Sequence, residues 1–168
     1  MTAGLTITRV GREANTILTN LFELYMHDMA EWFQFDTGPN GLYGYDLAHH
    51  WDRGDRFYLA RVDGALAGFA IVGPTQPFIA DPSAHDVNEF FVVRRYRRAR
   101  VGERLAHAIW GAEPGQWLVR VFEGNKPAVP FWRDIVGRYT DQQHVEERRF
   151  HNNKWWAFFT FTNGDKVP

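Results

Sequence analysis

Residues 89–110, EFFVVRRYRRARVGERLAHAIW, decide how the chain is read. Phe90, Phe91, Val92 and Val93 form a short apolar, β-favouring run, the pattern of a strand covered on both faces. Val101, Leu105, Ala108 and Ile109 then recur at helical spacing. Between them lie Arg94, Arg95, Arg97, Arg98 and Arg100, with Gly102 at the start of the predicted helix. A strand feeding a helix through such a turn points several backbone N–H groups outward. The helix N-terminus adds partial positive charge and the arginines add full charges. That combination suits a phosphate or pyrophosphate, and so a nucleotide-like ligand. Two plainer readings stand beside it: a solvated basic face, or a basic block that binds nucleic acid.

The stretch YRRARVGERLA resembles the acetyl-CoA turn of the GNAT superfamily of N-acetyltransferases, in which a strand leads through Gln/Arg-x-x-Gly-x-Gly/Ala into a helix. Arg97 falls on the first position, Arg100 on the first glycine and Gly102 on the last. Tyr96 and Leu105 also fall where the family tends to carry an aromatic residue and a leucine. Arg100 departs from the pattern: glycine there permits unusual φ values and close approach of a phosphate, whereas arginine must hold the turn with a Cβ present. The resemblance implies that Val92, Val93, Arg97, Arg98, Arg100 and the helix start, Val101, Gly102, Glu103 and Arg104, hold the cofactor.

A second segment, WLVRVFEGNKPAVPFW at 117–132, resembles the family's next strand and helix, in which an asparagine is followed by x-x-Ala-x-x-Phe-Tyr. Asn125, Ala128 and Phe131 match, and Trp132 replaces the usual tyrosine. In the family this strand and the preceding one splay apart and the pantetheine arm of acetyl-CoA enters the gap. The resemblance implies that Asn125 bonds that arm or its adenosine end, and that the helix from about Ala128, with Phe131 and Trp132, flanks the thiol. Gly124-Asn125 is also ordinary turn chemistry. The two motifs in the correct order carry more weight than either alone.

The composition is that of a globular chain: 168 residues, 45% hydrophobic and 23% charged. One domain covering 1–168 is the simplest expectation at that length. The formal net charge is −1, yet the window 94–104 holds six arginines against one glutamate, so the rest of the chain is net acidic. Positive charge gathered at the phosphate turn suits a small anionic ligand, where a nucleic-acid binder would more often be basic overall. There is no cysteine, which excludes disulfides, thiolate catalysis and cysteine zinc sites. The N-terminus has no basic-then-apolar signal and no run spans a bilayer, so a cytoplasmic enzyme without a membrane partner is expected. No metal site is expected.

Along the chain, Leu5 to Val10 alternates as a strand, and Asn15 to Glu31 reads as a helix with Ile17, Leu18, Leu21, Leu24 and Tyr25 on one face. Residues 33–44 form a glycine- and proline-rich loop, and Tyr45 to Trp51 a short helix. Phe57–Val62 and Leu66–Val72 flank Asp63-Gly64, a tight-hairpin signal. After a loop at 74–85 come a strand at 87–93, a helix at 101–110, a strand at 117–122, a helix at 128–136, and strands near 143–149 and 154–161. Without clean βα alternation, this order predicts an α+β fold. The resemblance makes that a GNAT-like mixed, mostly antiparallel twisted sheet of six to seven strands with four helices, its central strands splayed for acetyl-CoA.

An acetyl transfer of this kind needs the acceptor amine deprotonated before it attacks the thioester. Glu89 is the first candidate base, on a strand where burial would favour the neutral acid and sharpen it as a base. Asp86 and Asn88, the runner-up positions, lie on the strand's opposite face. The plain alternative for Glu89 is a structural carboxylate paired with an arginine or a tryptophan N–H. The resemblance places the oxyanion-stabilising backbone N–H at Val92. It places the leaving-group acid at Trp132, whose indole donates a hydrogen bond but is no proton source near neutral pH. Family members recognise the acceptor through the first helices and their joining loop. Here Tyr25, Asp28, Trp32, Tyr43 and Tyr45 combine aromatic faces with negative charge, as a cationic amine requires. His49-His50 reads as a solvated helix face. The first segment also resembles that of a poorly characterised group of predicted bacterial GNAT proteins.

Three functions follow as expectations. One is an acetyl-CoA-dependent N-acetyltransferase acting on a primary amine of a small molecule or peptide. The second is a catalytically weak GNAT-fold acyl-CoA-binding or sensor module, motivated by Arg100 and Trp132. The third is a nucleic-acid-binding module using the 94–104 arginine run with Tyr96 and the tryptophans as stacking surfaces. The strand WWAFFTFT at 155–162 is expected as a core or edge strand whose exposed face pairs a homodimer.

Overall fold

The structure, a computed structural model, describes residues 4–164. In chain order the elements are β1 (Leu5–Val10), α1 (Asn15–Phe33), α2 (Ala48–Arg53), β2 (Arg56–Val62), β3 (Ala65–Pro74), β4 (His85–Val92), α3 (Val101–Ala112), β5 (Gly115–Phe122), α4 (Ala128–Thr140), β6 (Val145–His151) and β7 (Lys154–Asn163). The seven strands form one sheet in the order β1-β2-β3-β4-β5-β7-β6. β1 pairs antiparallel with β2, and β7 antiparallel with both β5 and β6. β4 and β5 run parallel, with ladder partners at His85↔Trp117 and Asp86↔Leu118. This is the mixed, mostly antiparallel α+β sheet with four helices that the sequence led us to expect.

The chain folds as two compact units. One comprises the described residues up to Ile71 together with Glu89–Gly102; the other comprises Val72–Asn88 and the chain from Glu103 onward. In the first unit, the β2–β3 hairpin turns on Asp63-Gly64, both left-handed at φ 49° and 84°. That is the two-residue turn whose twist matches the flanking strands, and glycine meets it without a Cβ clash. The core of this unit gathers Leu18, Leu21 and Phe22 of α1, Leu47, and Phe57, Leu59, Phe69, Ile71 and Phe91 from the strands. Each such side chain taken from water contributes about 1.5–3 kcal/mol. The inward face of α1 is therefore set by Leu18, Leu21 and Phe22, while Leu24, expected on that face, is 51% exposed. Ile17 and Tyr25 pack against the same core, and Phe22 takes the place expected for Leu24.

In the second unit, Trp117, Leu118 and Val119 of β5 and Ala157, Phe158 and Phe159 of β7 are buried. Leu105, Ala106, Ile109 and Trp110 of α3 and Trp132, Ile135 and Val136 of α4 are buried with them. The indole of Trp110 meets Tyr139 at 5.0 Å and Phe161 at 5.1 Å between ring centres. Ala108 is exposed, and Ala106 and Trp110 take its expected place. Of the two places expected for WWAFFTFT, core or edge, β7 takes the first: it is an internal strand with partners on both sides. The terminal strands of the sheet are β1 and β6, and the residues of β6 are exposed from Val145 to Phe150.

Two expectations about β4 also change. Its apolar run is not covered on both faces: Phe91 is buried, but Phe90, Val92 and Val93 are half-buried. The buried carboxylate of the strand is Asp86, 1% exposed, rather than the half-buried Glu89. Asp86 is affordable inside because Arg120 of β5 meets its Oδ2 through Nε at 2.9 Å and a terminal nitrogen at 2.6 Å.

Candidate active site

Alternation along β4 sends Glu89 to one face and Asp86 and Asn88 to the other. On its face Glu89 meets α1: the Tyr25 hydroxyl donates to Glu89 Oε2 at 2.7 Å. The Tyr25 phenol is thus one partner of this carboxylate. The Tyr25 ring stands edge-on to Phe22 at 5.2 Å and to Phe69 at 5.8 Å, and lies 6.0 Å from Phe91. Burial first, and the Glu89 charge second, push the Tyr25 hydroxyl well above its ordinary value of 10.0, so it remains a donor at any neutral pH. Tyr45 stacks on Phe22 at 4.4 Å, and burial together with the Glu89 charge pushes its hydroxyl up to about 12. The carboxylate thus has the protonated Tyr25 phenol on it, in an aromatic setting. Asp86 and Asn88, on the opposite face, converge on Arg120, which lies 3.5 Å from Asn88 Oδ1 and whose guanidinium is 4.9 Å from the Phe78 ring centre.

The loop after α1 is held by the helix itself. Glu23 accepts the backbone N–H of Tyr43 at 2.7 Å and of Gly44 at 2.8 Å. Tyr43 in turn places its hydroxyl 3.4 Å from His27 Nδ1. Trp32 is half-buried near the end of α1. Asp28, expected as a counter-charge for the acceptor, instead binds Arg94 at 2.9 Å and also Arg97. Burial alone would raise the Asp28 carboxyl, but the hydrogen bonds from Arg97 and Arg94 outweigh it and hold it below the usual range. Tyr25 and Asp28, one turn apart on α1, thereby fasten the helix to both ends of the strand–turn segment.

The arginine turn starts with a 3-10 turn at Arg94–Tyr96. Arg97 donates through Nε to the Val92 carbonyl at 2.7 Å, and its guanidinium lies 5.5 Å from the Phe91 ring centre. The Val93 N–H is taken by Ala67 O at 2.9 Å. Arg98 and Arg100 both sit in the left-handed region, at φ 71° and 57°. The position where the family pattern has glycine therefore does demand a glycine-like backbone, and arginine occupies it at a cost of about 1–2 kcal/mol. A left-handed residue followed by a helix start directs successive N–H groups into one concave surface, which fits an anionic group. Arg98 and Arg100 are exposed there and Gly102 is buried.

The remaining expected residues lie in the second unit. Glu103 turns to α4, where its Oε1 accepts from Arg138 Nε at 2.8 Å, and Arg104 is exposed. Asn125 belongs to a tight turn, its N–H on Phe122 O at 3.0 Å and its carbonyl accepting from Ala128 at 3.0 Å, which starts α4. Phe131 lies edge-on to Trp132 at 5.2 Å, and Trp132 is buried. The one group missed outright is His50. It is buried, not a solvated face, and is paired with Asp55 at 2.6 Å. Nothing in its spacing signals this, since a histidine four or five residues from an aspartate is common on surfaces. Among the described residues no cluster of three or more His, Cys, Asp or Glu side chains could hold a metal, and no helix is long and apolar enough to cross a membrane.

A sheet of this order, with a basic left-handed turn leading from β4 into α3, is a fold shared with acetyltransferases. Residues 21–137 match the Acetyltransferase (GNAT) family, and the chain belongs to that family. No curated protein matches the sequence. Among solved structures, it resembles ribosomal-protein-alanine N-acetyltransferase from Brucella melitensis, at 16% identity and TM-score 0.65, over 94% of this chain and 99% of that one. It also resembles yncA from Salmonella typhimurium, solved with its cofactor acetyl-CoA, at 12% identity and TM-score 0.66, over 98% and 96%. Aminoglycoside acetyltransferase AAC(6')-Ib in complex with coenzyme A matches at 11% identity and TM-score 0.68, over 95% of each chain. Family members of this fold bind acetyl-CoA or CoA.

Proposed function

We propose that the chain is an acetyl-CoA-dependent N-acetyltransferase that acetylates a primary amine of a small molecule or peptide by direct attack on the thioester. The observation that carries the reading is the Tyr25–Glu89 bond at 2.7 Å, which aims a carboxylate on the strand leading into the basic turn. Acetyl-CoA supplies the activated acetyl group. The left-handed backbone at Arg98 and Arg100, with Gly102 behind it, suits its pyrophosphate. Glu89 takes the proton of the acceptor ammonium, directly or through water, while Tyr25 stays protonated and holds it in place. The backbone N–H of Val92 stabilises the developing oxyanion. Trp132 stands where a tyrosine is usual and releases no proton near neutral pH, so the departing thiolate takes its proton from water.

Calorimetric titration with acetyl-CoA, with free CoA and ADP as controls, tests the first half. Binding of one acetyl-CoA per chain is expected. Turnover is then read by release of free thiol, which is free of background because the chain has no cysteine. Glu89→Gln is expected to cut turnover with little change in acetyl-CoA affinity. A wild-type rate in Glu89→Gln across pH returns Glu89 to a structural role.

A further inference from the structure

The first unit holds a buried histidine–aspartate pair that this chemistry does not use. The side chains of His50 and Asp55 are 3% and 0% exposed, and His50 Nδ1 lies 2.6 Å from Asp55 Oδ2. Burial would raise the Asp55 carboxyl, but the hydrogen bonds from His50 and Arg53 hold it below the usual range, so it is an acceptor. Nδ1 of His50 is therefore the donor, and Nε2 is the atom left to face Tyr45, whose hydroxyl is 3.5 Å away. His49 repeats the arrangement: its Nδ1 faces the Asp46 carbonyl at 3.1 Å, leaving Nε2 at 3.3 Å from the same hydroxyl. Arg53 closes the far side, with Nε on Asp55 Oδ1 at 2.8 Å and a terminal nitrogen on Oδ2 at 2.5 Å. The Tyr45 hydroxyl thus sits between two ring nitrogens whose orientation is fixed from behind.

The same tyrosine stacks on Phe22, and Phe22 meets Tyr25, the donor to Glu89. A packed series therefore runs from Asp55 through His50, Tyr45, Phe22 and Tyr25 to the proposed base. Burying an aspartate with a histidine beneath a six-residue helix is costly, and an apolar pair would fill the same space at lower cost.

We propose that the Asp55–His50 pair is a positioning device for the acceptor amine: it orients the Tyr45 hydroxyl on the Glu89 side of the unit and sets how tightly that amine is held. The proposal rests on the assignment of Glu89 as base. Tyr45 is the contact; His50 and Asp55 act through it.

The test is a double-mutant cycle between His50→Gln and Tyr45→Phe. The probe is whichever of spermidine, kanamycin and a peptide with a free N-terminus the wild-type enzyme acetylates fastest. Each single change is expected to raise KM for that amine by about 10- to 100-fold, the penalty of a misplaced binding group, with acetyl-CoA affinity unchanged. The double variant is expected to be no worse than the poorer single one, because both remove the same contact. Asp55→Asn should match His50→Gln. Additive losses, or an unchanged KM in an active enzyme, overturn the positioning role alone. A wild-type protein inert toward all three amines overturns the transferase reading and this one with it. Should the variants fail to fold, nitrogen-15 spectra of the wild-type ring decide: His50 is expected to carry its proton on Nδ1, and a ring with Nε2–H alone overturns the proposal.

Discussion

Gly68 is a small residue in the middle of β3, and Gly68→Ala asks whether the β3–β4 contact is as tight as it looks. A Cβ there would lie inside 3.0 Å of the Phe91 carbonyl oxygen, 3.2 Å from Val92 Cα and 3.3 Å from the Phe91 carbonyl carbon. Real Cβ atoms essentially never come within 3.0 Å, and the obstacle is backbone rather than the end of a flexible side chain. Relief needs the two strands to part by roughly 1 Å, which weakens the neighbouring Val93 N–H to Ala67 O bond of 2.9 Å. Overpacking of this kind costs about 1–3 kcal/mol. For a domain of this size that is a drop in Tm of roughly 2–12 °C. The displaced segment carries Phe91, which packs on Tyr25, and Val92, the proposed oxyanion donor. Turnover should therefore fall by up to about 100-fold. Calorimetric melting, urea unfolding and thiol release read both effects. A Gly68→Ala protein with the wild-type Tm and rate would refute the close strand contact and the placement of Val92 that depends on it.

Gly111 gives the opposite sign: it lies inside α3 with nothing nearer a new Cβ than the Tyr139 hydroxyl at 3.9 Å, so Gly111→Ala should stabilise by about 0.5–1 kcal/mol in urea unfolding. Asp28 is held below its ordinary 3.8, so the unfolded chain takes up its proton first as pH falls; its contribution is complete above that range and lost below it. Asp28→Asn should accordingly flatten the loss of unfolding free energy between pH 6 and 3. Tyr25 and Tyr45 work at the other end, because their raised values make the folded state keep protons that the unfolded chain gives up near pH 10. Their contribution is whole below pH 10 and declines above it, and Tyr45→Phe should soften the alkaline decline in Tm.

The strands and helices were legible because each carries a local signal. Leu5–Val10 alternates, Asp63-Gly64 dictates a tight turn, and the arginine turn sits between a strand period and a helix period. The resemblance around Arg97–Gly102 then fixed the fold. What stayed hidden depends on partners distant in sequence. Asp86 is buried against Arg120, thirty-four residues on, and Glu89 accepts from Tyr25, sixty-four residues before it. Asp28 looked available to an acceptor until Arg94 and Arg97 folded over it. His50 was read from its exposed neighbour, although Asp55 turns one of the two rings inward. WWAFFTFT was open between core and edge because order in the chain does not give order in the sheet. The left-handed backbone at Arg100 was anticipated from the motif, but the equally left-handed Arg98 was not, since arginine gives no hint of positive φ.

The exposed strand β6, Val145-Glu146-Glu147-Arg148-Arg149-Phe150-His151, bears on how the molecule behaves in a crowd. An identical strand joining it about a two-fold axis perpendicular to the sheet must set one residue opposite its own copy. At Glu146 or Glu147 that brings two carboxylates together, and at Arg148 or Arg149 two guanidiniums. Every such register centred on the four middle residues carries like charge at its axis. An unpaired row of backbone donors and acceptors that would otherwise invite sheet-to-sheet growth is guarded by the order in which four charges are written along it.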